Sequence, residues 1–275
     1  MSIVFILTLT LLGVASILFS LFLSKRKKGL FLAGKWILWA GFGMWSLELL
    51  LRTTKLGVIP VYDLRSSLFF WGWCGIFVYL LLQIKLRLTV LSAFVAPLAF
   101  VLALISSALP SVDGSLKPYL KGLWFHLHVI PMFLGISLFF LSSVAAGLYL
   151  WVDRALKNRK MKGLSSQLPS LAGLDQFGHY TVTYGFPLYS MGMMAGALYS
   201  QATFGKYWQW DPKEVWALVT WLLYAILLHE RLALGWKGKK AATLTLLCFC
   251  ALLFTYLVIS HLEGGYHSFK SLSGG

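Results

Sequence analysis

Charge is what this sequence has least of: 12% of its 275 residues are charged and only 9 are acidic, against 59% hydrophobic. Soluble domains carry about 25% charged residues, so an ordinary water-soluble fold is excluded and repeated membrane spans are implied. Carboxylates are too few to form the intramembrane string that marks a proton or ion path. The three cysteines, Cys74, Cys248 and Cys250, lie in apolar runs with no CxxC pair. A zinc site and a dithiol redox motif are therefore unsupported. No nucleophile with an adjacent base, phosphate loop or pair of catalytic carboxylates stands out either. Every stretch between apolar runs is shorter than about 30 residues, too little for an independent soluble core. The chain reads as one polytopic membrane domain over 1–275.

What is present is apolar length. Runs at about 2–23, 30–51, 67–82, 88–108, 123–151, 181–200, 212–229 and 241–260 are each long enough to cross a bilayer or nearly so. The predicted fold is an all-α integral membrane bundle of about eight transmembrane helices. The first run is followed by Lys25-Arg26-Lys27-Lys28, where a signal peptide would carry such a cluster in front, so it reads as a retained first helix. The second carries Glu48 at its far end, and the sixth is rich in Gly and Met, which suits close helix packing.

The excess of 24 Lys and Arg over 9 acidic residues, net +15, reports topology in such a chain rather than nucleic-acid binding. Of those 24, 16 fall in or beside the loops after the first, third, fifth and seventh spans, leaving 8 for the opposite face. That bias predicts cytoplasmic loops at the first set and both termini on the outer face. His126, His128, His261 and His267 then lie outside, and His179 and His229 lie at the cytoplasmic side.

The likeliest functional stretch is Gly205-Lys206-Tyr207-Trp208-Gln209-Trp210-Asp211-Pro212-Lys213-Glu214-Val215-Trp216. Asp211 is a good N-cap, Pro212 suits the first helical position, and Glu214 falls where a capping-box carboxylate sits. Trp208 and Trp210, two apart, would share one flat face on an extended segment and suit a planar ligand. The same residues also fit an interfacial aromatic belt.

Imidazole is the commonest neutral ligand for metals and haem iron, and two histidines can hold a macrocycle from both axial sides. His126 and His128 point about 200° apart on a helix, so one of them can face a shared site. Trp124 shares a face with His128, which favours His128. A structural, hydrogen-bonded histidine is the alternative for each. His229 near the end of the seventh span reads either as a ligand or as a cation at a helix C-terminus.

The segment from Gly205 to Trp216, continued by Ala217-Leu218-Val219-Thr220-Trp221 and Leu228-His229, resembles the tryptophan-rich WWD domain of the cytochrome c assembly family. The Trp210-Asp211-Pro212-Lys213-Glu214 form is similar to the CcsA or ResC branch of system II. The resemblance extends through Leu174-Asp175, Tyr184-Gly185-Phe186-Pro187 and the loop from Pro60 to Ser67.

It implies that the outer segment, about 201–216, holds haem b with Tyr207, Trp208, Trp210, Asp211, Trp216 and Trp221 around it. By the family pattern His128 matches one axial ligand and His267 the other, with His126 and His261 as neighbouring competitors. His229 matches a transmembrane histidine thought to meet haem on its way outward. The implied function is the haem-handling subunit of a holocytochrome c synthase in the cytoplasmic or a thylakoid-type membrane. Haem would be taken from the cytoplasmic side and attached through thioether bonds to CxxCH of apocytochrome c, with a CcsB (ResB) subunit as partner. A HemX-like regulatory protein and a small-molecule permease are the alternatives.

Overall fold

The computed structural model describes residues 2–86, 89–110, 122–159 and 169–258. Among the described residues there are eight α-helices and no strand, and the chain divides into two compact units, 1–112 and 113–275. Seven helical segments among the described residues are long and apolar enough to cross a membrane. The expected all-α membrane bundle is therefore what forms.

In the first unit α1 (Ile3–Lys25) and α2 (Lys28–Leu56) are joined by a two-residue turn. Arg26 takes a left-handed φ of 54°, and its N–H bonds Phe22 O at 2.8 Å, which ends the helix where the basic cluster leaves the apolar run. Gly57, at φ 71°, ends α2 in the same way and needs no Cβ there. Asp63 caps α3 (Leu64–Leu86), its carboxylate accepting from Ser66 N at 2.6 Å. A 3-10 turn at Thr89–Leu91 leads into α4 (Ser92–Ala108). Arg65 Nη1 then donates to Leu109 O at 3.0 Å, tying the start of α3 to the end of α4.

Phe5, Leu12, Phe19, Trp45, Phe69, Ile76 and Ala99 fill the core of this unit. Glu48, which the apolar run of α2 makes conspicuous, is buried and paired one turn on with Arg52 at 2.8 Å. Ser2 Oγ donates to its other oxygen at 2.6 Å. Arg52 in turn lies over the Phe69 ring at 4.4 Å, so both charges of this intramembrane pair are met within the protein.

In the second unit α5 (Leu123–Lys157) and α6 (Leu171–Phe204) form the most extensive helix pair. At 35 residues α5 is about 52 Å long, well beyond the roughly 30 Å hydrocarbon layer. Glycines let the two backbones approach: a Cβ on Gly135 would sit 2.9 Å from Tyr189 N, and one on Gly185 would sit 3.0 Å from the Phe139 ring. Then come α7 (Pro212–Leu232) and α8 (Gly238–Leu253), the latter running into a π-helical turn, Phe254–Val258. Phe139 and Tyr224 stack at 3.6 Å in the middle of this unit, both fully buried.

Several boundaries shift by a few residues, with α2 running to Leu56 and α5 to Lys157, and one shifts by more. The sixth span reads from the sequence as starting near Thr181, whereas α6 begins at Leu171, where Ser170 Oγ accepts from Gly173 N at 3.2 Å. The Leu174–His179 stretch looks like a polar lead-in because Asp175 and His179 interrupt the hydrophobicity. Both are satisfied inside the bundle instead. The Asp175 carboxylate accepts from Arg231 Nη2 at 3.1 Å and from Gly238 N at 3.0 Å, and His179 Nδ1 accepts from Arg231 Nε at 3.2 Å. Asp175 thus fastens the end of α7 and the start of α8 to the first turns of α6.

Candidate functional site

The tryptophan-rich segment forms the turn between α6 and α7. Gly205 ends α6 at φ 77°, and Asp211 caps α7 with its Oδ1 accepting from Lys213 N at 2.8 Å. Pro212 occupies the first helical position as predicted. Glu214, expected to reach the cap residue itself, reaches two residues further back and accepts from Gln209 N at 2.8 Å. The cause is Trp210, whose left-handed φ of 59° bends the chain before the cap. A bulky residue rarely takes that conformation, and such strain tends to collect where function needs a fixed shape.

The same bend corrects the expected aromatic geometry. Alternation puts residues two apart on one face only in extended backbone. Trp208 and Trp210 instead meet edge to face, with centroids 6.2 Å apart and planes at 83°. Trp210 is 79% exposed, Tyr207 is 59% exposed and Trp208 is half-buried. The site is therefore an L-shaped aromatic corner rather than one flat wall. Two residues that sequence reading passed over hold it: Ser200 Oγ donates to Lys206 O at 2.8 Å, and Gln209 Nε2 donates to Ser200 Oγ at 3.3 Å. Nothing in the sequence singles out Ser200, because its role depends on a turn that doubles back on it.

Trp216 and Trp221 serve the surroundings. Trp216 packs edge-on against Phe254 at 4.7 Å, and Thr255 Oγ1 donates to Trp216 O at 3.4 Å. The π-helical turn at the end of α8 is thereby seated on the first turns of α7. Trp221 lies on a different face, tilted 5.3 Å from Phe186, and its Nε1 donates to Ser190 Oγ at 2.8 Å, which fixes α7 to α6.

The two histidines near the start of α5 separate as their spacing predicts. His126 turns back on its own helix, with Nδ1 2.9 Å from Gly122 O. His128 faces α6, with Nδ1 2.7 Å from Gly192 O. A carbonyl only accepts, so Nδ1 carries the proton in this contact and Nε2 keeps the lone pair, the form in which imidazole ligates metals. Phe125, just before them on α5, packs on Tyr199 at 5.8 Å, one residue before Ser200. His128 and the tryptophan turn therefore occupy the same end of the α5–α6–α7 array.

His229 is exposed and lies in the last turn of α7, its carbonyl accepting from Ala233 N at 2.8 Å. The 17 helical steps from Pro212 amount to about 26 Å, so it stands at the opposite end from the tryptophan turn. His261 and His267 lie outside the described residues. Among the described residues no three His, Cys, Asp or Glu side chains gather into a group that could hold a metal ion. A lone imidazole such as His128 suits a metal that arrives with other ligands of its own, as iron does in a porphyrin.

Fold and site together define a polytopic all-α membrane protein with an aromatic turn and a carbonyl-anchored imidazole at one end of its helices. The chain belongs to the cytochrome c assembly family, in its CcsA branch, and its role lies in cytochrome c assembly: the profile of the cytochrome C assembly protein family matches residues 61–267. A relative from Guillardia theta named cytochrome c biogenesis protein CcsA is 34% identical over 241 residues, covering 81% of this chain and 80% of its own. The protein of the same name from Gloeobacter violaceus is 31% identical over 268 residues, covering 78% and 79%. Among solved structures, cytochrome c haem lyase CcmF matches with a TM-score of 0.59 at 17% identity, over 98% of this chain. The chain spans about half of that protein's length, 48%, and the likeness is one of fold.

Proposed function

We propose that this chain is the haem-handling subunit of a system II cytochrome c synthase. It receives haem b from the cytoplasmic side near His229, and it presents haem on the outer face between His128 and His267, against Tyr207, Trp208 and Trp210. There the vinyl groups react with the CxxCH thiols of apocytochrome c. The observation that carries this reading is the His128 contact. A 2.7 Å bond from Nδ1 to a backbone carbonyl of the neighbouring helix leaves Nε2 as the ligating nitrogen and fixes the ring, the outer-shell arrangement that metal-binding histidines use.

The surrounding side chains fit a planar, mostly apolar group with a metal at its centre. Trp210 and Tyr207 offer exposed rings, and the edge-to-face pair offers both a stacking face and an edge for a macrocycle. The π-helical turn that follows α8 rests on Trp216, at the same end of the helices as the tryptophan turn. Haem supplies the iron and the reactive vinyl groups; the chain supplies axial nitrogens, orientation and an aromatic cover. A CcsB-like subunit is the proposed membrane partner, and the CxxCH segment of apocytochrome c is the acceptor.

The reading requires a definite orientation, set by the 16 to 8 distribution of basic residues. Reporter fusions after Lys28 and after Lys162 should report cytoplasm, and fusions after Lys117 and at Gly275 should report the outer side. A cytoplasmic C-terminus would place the tryptophan turn on the wrong side for apocytochrome c and overturn the proposal.

A further inference from the structure

Of the glycines on α6 that face α5, three meet it at close quarters, and they do different things. A Cβ on Gly185 would meet the Phe139 ring at 3.0 Å, and one on Gly192 would meet Met132 N at 3.0 Å and His128 O at 3.2 Å. Those two contacts concern the closeness of the helices. Gly196 is different, because a Cβ there would lie 2.6 Å from His128 Nδ1, 2.9 Å from Cε1 and 3.5 Å from Cγ, and no backbone atom is among its three nearest neighbours. The imidazole thus occupies the notch left by the missing side chain. One turn earlier on the same helix, Gly192 O binds the Nδ1 that points into that notch.

We infer that Gly196, together with the Gly192 carbonyl, is a positioning element for the His128 imidazole: the notch sets where the ring lies, and the carbonyl sets which nitrogen is left to ligate. The inference rests on the proposed role of His128 as a haem ligand and adds residues that the tryptophan motif does not contain. Adding one methyl group at 196 leaves the helix backbone free to keep its course but forces the ring out, since 2.6 Å is shorter than any normal carbon–nitrogen contact. The ring then gives up the bond to Gly192 O, and with it the fixed proton on Nδ1. Removing outer-shell support of this kind lowers metal affinity by about 10- to 100-fold. Gly147, whose added Cβ would meet nothing within 4 Å, provides a control on the neighbouring helix.

The test uses the full-length protein purified in detergent, as wild type, Gly196→Ala, Gly147→Ala and His128→Ala, with haem as the added probe. Three readouts are taken: thermal unfolding of the haem-free protein, the nitrogen resonances of ¹⁵N-labelled histidine, and the absorption and EPR spectra on haem titration. Gly196→Ala should unfold within a few degrees of wild type. It should lose the resonance of a neutral imidazole protonated on Nδ1, and bind haem about 10- to 100-fold more weakly, with a high-spin component in place of the low-spin bis-imidazole signal. Gly147→Ala should match wild type throughout. Wild-type affinity and a low-spin spectrum in Gly196→Ala, alongside weakened His128→Ala, would overturn the positioning role alone. Retention of both in His128→Ala as well would overturn the ligand assignment on which it stands.

Discussion

His128→Ala should abolish cytochrome c maturation while leaving the protein inserted at normal levels. The ring is half-buried and bonds Gly192 O at 2.7 Å; losing that bond costs about 0.5–1.5 kcal/mol. On the proposed reading no second imidazole on α5 can substitute for it. His126, two residues away, is turned to Gly122 O on the other side of the helix. His126→Ala should therefore leave maturation near normal. His267→Ala should reproduce the defect and His261→Ala should not, since the proposed site takes its second ligand from the tail. Immunoblotted protein level and haem-stained cytochrome c, measured on the same membranes, separate a maturation defect from an insertion defect. A more damaging His126→Ala than His128→Ala would show that the wrong face of α5 has been assigned.

His229→Gln is the second change with a large expected effect, and here the structure sharpens the choice between two readings. A histidine in the last turn of a helix can act simply as a cation against the helix dipole, worth at most about 1 kcal/mol at an exposed position. In α7 that end is already secured by Arg231, which binds the Asp175 carboxylate at 3.1 Å and His179 at 3.2 Å, whereas His229 is exposed. His229→Gln should consequently leave folding and insertion intact. If haem enters by way of His229, the outer site should nevertheless be found depleted, because it is loaded later and lies about 26 Å away. Haem content per protein and cytochrome c yield, taken beside His128→Ala at matched expression, read this directly. Normal haem loading with normal cytochrome yield would remove the inner site from the account and leave the outer one standing.

How far the sequence spoke for itself depends on how local each signal was. Asp211, Pro212 and the run behind them announced the start of α7 because capping is decided within four residues. The break between α1 and α2 was equally plain from four consecutive basic residues at the end of an apolar run. The separation of His126 from His128 needed only helical geometry. What stayed hidden was contact between distant residues and backbone that departs from regular form. Asp175 and His179 read as a loop because their partner, Arg231, is more than 50 positions on. The carbonyl that holds His128 belongs to a glycine 64 residues away, and a Gly-rich helix announces close packing without naming the side chain it makes room for. The left-handed Trp210 had no sequence signature, since glycine or asparagine is the usual occupant of that conformation. It converted an expected flat surface into a corner.

The consequence for mechanism is that this end of the α5–α6–α7 array joins rigid and strained parts. Ser200, Gln209 and Glu214 tie the turn down by hydrogen bonds of 2.8 to 3.3 Å, and the exposed rings of Tyr207 and Trp210 are carried on that fixed frame. A planar ligand met by such a frame loses little freedom that the protein has not already given up, which favours binding through preorganisation.

The most direct measurement of the central claim is the absorption spectrum of the full-length protein purified from membranes in which cytochrome c is being made, with its membrane partner co-expressed. The account predicts a Soret band and, after reduction, the sharp α and β bands of haem with two imidazole ligands, both lost in His128→Ala at equal protein yield. Protein that emerges without haem and takes up none when haem is added, or a bis-imidazole spectrum unchanged in His128→Ala, would contradict it.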